Sequence, residues 1–134
     1  MSEQNKELIY RWFEEVWNKG RIAAIDELLT EDCLAHGLGA APLVGPAGFK
    51  PVVQTLRTAF PDIRIVVEDI VAEGDKVAAR AVVRGTHQGD YLGIPPTGRQ
   101  IEVHGISFGR IKDGKISEAW NNYDFQGLKE QITS

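Results

Sequence analysis

The apolar side chains of this chain change their period once, at Pro61, and that change restricts the fold more than any other feature of the sequence. Before it, Leu8, Ile9, Trp12, Phe13 and Val16 recur at the three-and-four spacing of an amphipathic helix, which Gly20 stops. Ile22 to Leu29 predicts a second, shorter helix with Ile25, Leu28 and Leu29 on one face, broken by Thr30-Glu31-Asp32. A short extended piece at Cys33 to His36 and a Gly/Pro-rich loop from Gly37 to Pro46 follow. Pro46 suits the first turn of a third helix running to about Phe60. After Pro61 the period is roughly two. Ile63 to Glu73 reads as a strand, Gly74-Asp75 as a turn, and Lys76 to Arg84 as the next strand. Gln100 to Ile111 and Lys115 to Tyr123 are two more, joined by the hairpin signal Asp113-Gly114, and a short helix from Phe125 to Ile132 follows. Helices first and long antiparallel strands after predict an α+β fold with the helices packed on one face of the sheet.

A chain of 134 residues predicts a single domain, residues 1–134. A globule of that size buries roughly two thirds of the surface its unfolded form exposes. Apolar residues make up 43% and charged residues 25%, which is too apolar for a disordered chain. The net charge of −4 and the absence of a Lys/Arg run exclude a surface that tracks phosphates, so nucleic acid is not an expected partner. The opening residues MSEQNKELIYRW lack the apolar core of a signal peptide, and no apolar stretch approaches the ~20 residues of a spanning helix. A cytoplasmic location without membrane partners is therefore expected. Cys33, the single cysteine, reads as a small buried hydrophobe rather than a nucleophile.

The segment from Thr86 to Phe125 concentrates the side chains that can do chemistry. His104 and Asp124, on paired strands, form a candidate proton relay if both face one cavity; a satisfied structural pair is the alternative. Strand alternation leaves two sets open, because His104, Ile106 and Phe108 share one parity while Gly105, Ser107 and Gly109 share the other. On the next strand Glu118, Trp120, Asn122 and Asp124 alternate with Ala119, Asn121 and Tyr123, and a bulge at a glycine changes which set points inward. Small residues such as Gly105, Ser107 and Ala119 would leave space for a ligand. Glu118 reads as a solvated or cross-strand charge. His36, before the glycine-rich loop, is either a third polar group at the mouth or an exposed loop histidine, and His87 reads as loop-ordering. Trp12 belongs to the apolar stripe of the first helix, whereas Trp120 beside the polar cluster suits an aromatic wall for a planar ligand. The three histidines lack ligand spacing, so no metal is expected, and no phosphate-cradling loop or G-x-S-x-G elbow is present.

Four segments resemble the SnoaL-like polyketide cyclases, or ester cyclases, of the nuclear transport factor 2-like superfamily: Gly85-Thr86-His87-Gln88-Gly89, Gly93-Ile94-Pro95-Pro96-Thr97-Gly98-Arg99, Arg110-Ile111-Lys112-Asp113-Gly114-Lys115-Ile116 and Asp124-Phe125-Gln126-Gly127. Trp17-Asn18-Lys19-Gly20 and Val44-Gly45-Pro46 fit as well, so the resemblance covers nearly the whole chain. It implies a cone-shaped barrel, a curved and mostly antiparallel sheet wrapped around N-terminal helices, with an apolar pocket inside and a homodimer through the sheet. It also implies aldol-type ring closure of a small hydrophobic carbonyl compound, with neither cofactor nor metal. The family's acid-base aspartate falls at Asn121 and a histidine of the preceding strand at Ser107. An amide cannot take that proton, so either the base has moved to Asp124, His104 or His36, or the same cavity does different chemistry. The expected catalytic residues are Asp124, His104, Asn121 and His36, with Asn121 donating to an oxyanion. Trp120, Ser107, Gly105, Trp12 and Tyr91 are the expected substrate-binding residues. A ligand-binding module without catalysis and a cofactor-free hydrolase are the alternatives.

Overall fold

In the computed structural model, which describes residues 2–133, helix α1 (Ser2–Arg11) runs without a break into a π-helical segment, Trp12–Asn18. Hydrogen bonds in such a segment close on the fifth residue back, so side chains five apart come onto one face. Trp12 and Trp17 accordingly both meet Phe49 edge-on, with ring centroids 4.9 and 6.2 Å away. The three-and-four spacing predicts the helix and its buried face correctly; the wider turn at its end is the structure's addition. Helix α2 (Ala23–Leu28) leads directly into strand β1 (Leu29–His36). Thr30-Glu31-Asp32 is therefore part of a strand rather than a break between elements.

The Gly/Pro-rich loop contains a two-residue strand, β2 (Leu43–Val44), and helix α3 (Gly45–Ala59) carries Pro46 in its first turn. Strands β3 (Arg64–Glu73), β4 (Lys76–Thr86), β5 (Gln100–Lys112) and β6 (Lys115–Tyr123) and helix α4 (Phe125–Thr133) follow. Asp113 and Gly114 turn β5 into β6 with φ of 52° and 76°, the left-handed pair that a two-residue hairpin needs. Sheet order is β2-β1-β6-β5-β4-β3, antiparallel throughout except where β1 lies parallel to β6. The sheet is curved and open, and the helices fill its concave side. Ala79, Ala81, Gly105, Ser107 and Gly109 share that side, and their small side chains leave depth for the helix and for a cavity.

Two bulges set which side chains face inward. In β3 the register against β4 slips between Val67 and Asp69, so the inward row passes from Ile65 and Val67 to Ile70 and Ala72. In β6, Ile116 pairs with Ile111 but Glu118 pairs with Arg110, leaving Ser117 as an extra residue whose hydroxyl donates to the Arg110 carbonyl at 3.1 Å. Beyond it Ala119, Asn121 and Tyr123 turn inward, and Glu118, Trp120 and Asn122 turn outward. The bulge thus falls at a serine, not at a glycine.

Asn18 docks the end of the first helix on the free edge of β3. Its Nδ2 donates to the Ile65 carbonyl at 2.9 Å and its Oδ1 accepts from the Ile65 N–H at 2.6 Å, which occupies the place of a further strand. His87 is fully buried and orders the 87–99 loop. Its Nδ1 accepts from the Thr97 N–H at 3.2 Å and lies 3.0 Å from the Thr97 hydroxyl. No helix among the described residues is long and apolar enough to cross a membrane.

Asn18→Ala leaves both Ile65 backbone groups without these partners, and urea unfolding is expected to show a loss of about 1–3 kcal/mol with an unchanged slope. Cys33 is 1% exposed, and burial, aided by the charges of Asp32 and Glu118, pushes its thiol up to about 11. At pH 8 it is therefore protonated as well as covered. A thiol reagent is expected to leave the native protein unlabelled and to label it promptly in denaturant.

Candidate functional site

Between the concave face of the sheet and the helices lies a cavity of about 50 Å³. Trp12, Phe13 and Trp17 of the π-helical segment, Phe49 and Phe60 form its aromatic walls. A second hollow of about 30 Å³ shares Trp12, Phe13, Phe49, Ser107 and Asn121 with the first and reaches Cys33 and Ala119. Outward, a vestibule of about 240 Å³ is lined by Pro51, Val52, Thr55, Tyr91 and Leu92. Leu38, Leu56 and Phe125 line both the inner cavity and the vestibule, so these three form the constriction between them.

Three uncharged polar groups converge inside. The Ser107 hydroxyl donates to Asn121 Oδ1 at 2.9 Å, and the Tyr123 hydroxyl lies 2.9 Å from Ser107 Oγ. Asn121 Nδ2 donates to the carbonyl of His36 at 3.2 Å, tying β6 to the end of β1. Burial pushes the Tyr123 hydroxyl above its ordinary range, and its bond to Ser107 works against that shift. All three line the inner cavity, whereas no Asp, Glu, His, Lys or Arg among the described residues does. Gly37 allows the chain to pass directly over this network: its φ is 89°, and a Cβ there would stand 1.8 Å from the Asn121 carbonyl.

The structure separates the expected site residues into three places. Ser107, Asn121 and Trp12 line the inner cavity, and Tyr91 lines the vestibule. Gly105 faces inward, but the space beside it is filled. A Cβ there would fall 2.2 Å from the ring of its cross-strand partner Tyr123, so this glycine seats a tyrosine rather than a ligand. Contrary to the paired arrangement that the sequence suggests, His104 and Asp124 do not face one cavity. His104 is on the outer face of the sheet, with its side chain 62% exposed and its Nε2 3.0 Å from Glu102 Oε2. Its parity is opposite to that of Ser107, which explains the placement. Asp124 sits in the short link before α4, where its Oδ1 accepts the Gly127 N–H at 2.8 Å and caps the helix.

Trp120 is likewise outside, because the bulge at Ser117 turns it away from the helices. There it stacks on His36, with ring centroids 5.5 Å apart and planes 17° apart. His36 Nε2 lies 2.8 Å from Glu118 Oε2, so Glu118 is a cross-strand charge and His36 is not at the cavity mouth. The aromatic wall comes instead from Trp17, Phe13, Phe49 and Phe60. Trp17 is five residues from Trp12, a spacing that a regular α-helix would not align, and Tyr123 was masked by the undetermined parity of β6. Among the described residues no three His, Cys, Asp or Glu side chains are placed to share a metal ion.

The SnoaL-like polyketide cyclase family model matches residues 7–132. The nogalonic acid methyl ester cyclase of Streptomyces nogalater is 33% identical over 122 residues, covering 87% of this chain and 88% of that protein. An aklanonic acid methyl ester cyclase of Streptomyces peucetius is 32% identical over 128 residues, covering 92% of this chain and 88% of its own. Among solved structures, a SnoaL-like protein from Jannaschia sp. CCS1 superposes with a TM-score of 0.91 at 26% identity, covering 99% of this chain and 94% of that one. IdmH from Streptomyces antibioticus does so with a TM-score of 0.84 at 33% identity, covering 98% and 99%. By sequence along nearly its whole length and by fold, the chain belongs to the SnoaL-like polyketide cyclase family.

Proposed function

We propose that this protein closes a carbocyclic ring in an apolar molecule bearing several carbonyl groups, by an intramolecular aldol addition that needs neither metal nor cofactor. The observation that carries the reading is the convergence of three uncharged hydrogen-bonding groups, Ser107, Asn121 and Tyr123, in an otherwise apolar, aromatic-walled cavity. A C–H between two carbonyls is acidic because conjugation spreads the charge of its enolate. The protein's contribution is then to hold the reacting carbons together and to meet the developing oxygen charge with fixed donors in a dry site. Asn121 uses one Nδ2 hydrogen on the His36 carbonyl, and the other is available to the enolate oxygen.

The inner cavity has room for only a few water molecules, at roughly 10–15 Å³ each. A polyketide therefore places its reacting end inside and its remainder across the Leu38–Leu56–Phe125 constriction into the vestibule. Asp124 is the proposed acceptor of the carbon proton, through water. It stands in the chain between Tyr123 of the cavity and Phe125 of the constriction, and its side chain is exposed. His104 has no part in this reading.

Two relatives carry nogalonic and aklanonic acid methyl esters in their names, and these are the substrates to try. Incubation with either is expected to give a cyclised isomer of unchanged mass with a new chromatographic position. A protein that binds the esters and leaves them unchanged would be a binding module instead. Asp124→Asn separates two roles, since asparagine caps a helix as well as aspartate does. Unfolding is expected to move by less than about 0.5 kcal/mol while kcat falls 10-fold or more.

We also infer that a second copy of the chain covers the outer face of the sheet. Leu34, Val66, Ile106 and Trp120 are each 36–52% exposed there. Charge pairs of both signs, Arg80–Glu68 and Arg84–Glu102, flank them together with the His36–Glu118 contact, a balance suited to contact with an identical surface. Light scattering is expected to give twice the monomer mass for the parent protein and the monomer mass for Ile106→Arg.

A further inference from the structure

We propose that Tyr123 is a catalytic proton donor in this site: its hydroxyl protonates the alkoxide that forms when the ring closes. The inference rests on the ring-closing reading above and adds the acid that an amide at position 121 cannot supply.

Hydrogen accounting singles out the phenol. Asn121 Oδ1 carries no hydrogen, so Ser107 must donate in their 2.9 Å contact. Ser107 has one hydrogen and has spent it. Tyr123 must therefore donate in the 2.9 Å contact between the two hydroxyls. The hydrogens run in one direction, from Tyr123 to Ser107 to Asn121, and Asn121 passes one of its own to the His36 carbonyl. Tyr123 stands at the head of this chain and accepts no bond within it. Its hydrogen can swing from Ser107 to an oxyanion in the cavity, and Ser107 can swing back to support the phenolate that results. Gly105 positions the group by giving the Tyr123 ring a flat seat.

Acidity points the same way. An alkoxide is far more basic than a phenolate, so transfer from tyrosine runs downhill, whereas Ser107 is no more acidic than the product alcohol and gains nothing by donating. Burial keeps the phenol protonated at ordinary pH and hence available as a donor. The step balances. The carbon acid loses its proton through water to Asp124, and the enolate carbon bonds to the acceptor carbonyl carbon. The π pair of that carbonyl becomes an alkoxide lone pair. Tyr123 gives this oxygen its proton, and the phenolate recovers one from Asp124 through water.

The test pairs a binding probe with turnover. 4-Nitrophenol reports its own ionisation by absorbance and stands in for the oxyanion. The parent protein is expected to bind its anion at least about tenfold more tightly than Tyr123→Phe does, with affinity for the neutral form changed less than about threefold. With the ester substrates, Tyr123→Phe is expected to lose about 100-fold in kcat with KM within about threefold. A melting temperature close to that of the parent shows that the phenylalanine ring keeps its seat. Equal anion affinity in the two proteins, no binding of the anion by the parent, or an undiminished kcat overturns the proposal. A parent protein that turns over neither ester sinks the ring-closing reading, and the probe then decides by itself whether Tyr123 donates to an oxyanion.

Discussion

The site depends on one extra residue in a β-strand. Were β6 to pair with β5 without the bulge at Ser117, the two-residue period would point Glu118, Trp120 and Asn122 at the helices. A carboxylate and a large indole would then enter a space walled by Trp12, Phe13 and Trp17. The bulge exchanges that row for Ala119, Asn121 and Tyr123, which are smaller or uncharged. It also sends Trp120 and Glu118 to the outer face, where they meet His36 across the parallel pairing with β1. A single insertion thus builds both faces of the sheet at once.

The interior is polar only as far as it is satisfied. A buried hydroxyl or amide without a partner costs on the order of 1–3 kcal/mol, and a buried unpaired charge costs more. Ser107, Asn121 and Tyr123 meet this constraint by bonding to one another and to the His36 carbonyl. A carboxylate at position 121 would lose the hydrogen that reaches His36 and would bring a charge into an aromatic enclosure. The amide gives up proton transfer and keeps directional hydrogen bonding.

Most elements were legible in the sequence because they rest on local pattern. Turn residues and period place the four long strands and α4 to within two residues of the observed ends. The site was legible only in part, because cavity membership depends on register. Ser107 and Asn121 line the inner cavity, Trp120 and His104 stand on the outer face and Gly105 seats Tyr123, although all five lie on the same hairpin. Alternation along β5 sets His104 opposite to Ser107, the Tyr123 ring fills the space beside Gly105, and the bulge in β6 turns Trp120 outward and Asn121 inward; the trace of that bulge in the sequence is two adjacent polar residues, Ser117-Glu118, between Ile116 and Ala119. Glu68-Asp69 leaves the same trace at the bulge in β3. The alignment of Trp12 with Trp17 had no such trace, since three-and-four spacing describes an α-helix and says nothing of a π turn.

The bond from Asn121 to the His36 carbonyl joins residues 85 positions apart, and among the described residues the parallel pairing of β1 with β6 is the only sheet contact of comparable span. Hairpins such as β3–β4 and β5–β6 close short loops early, whereas this pairing must wait until nearly the whole chain has been collected. The Ser107–Asn121–Tyr123 network lies within the β5–β6 hairpin and needs only that local closure, so what the long-range pairing adds is its attachment to β1 through the His36 carbonyl.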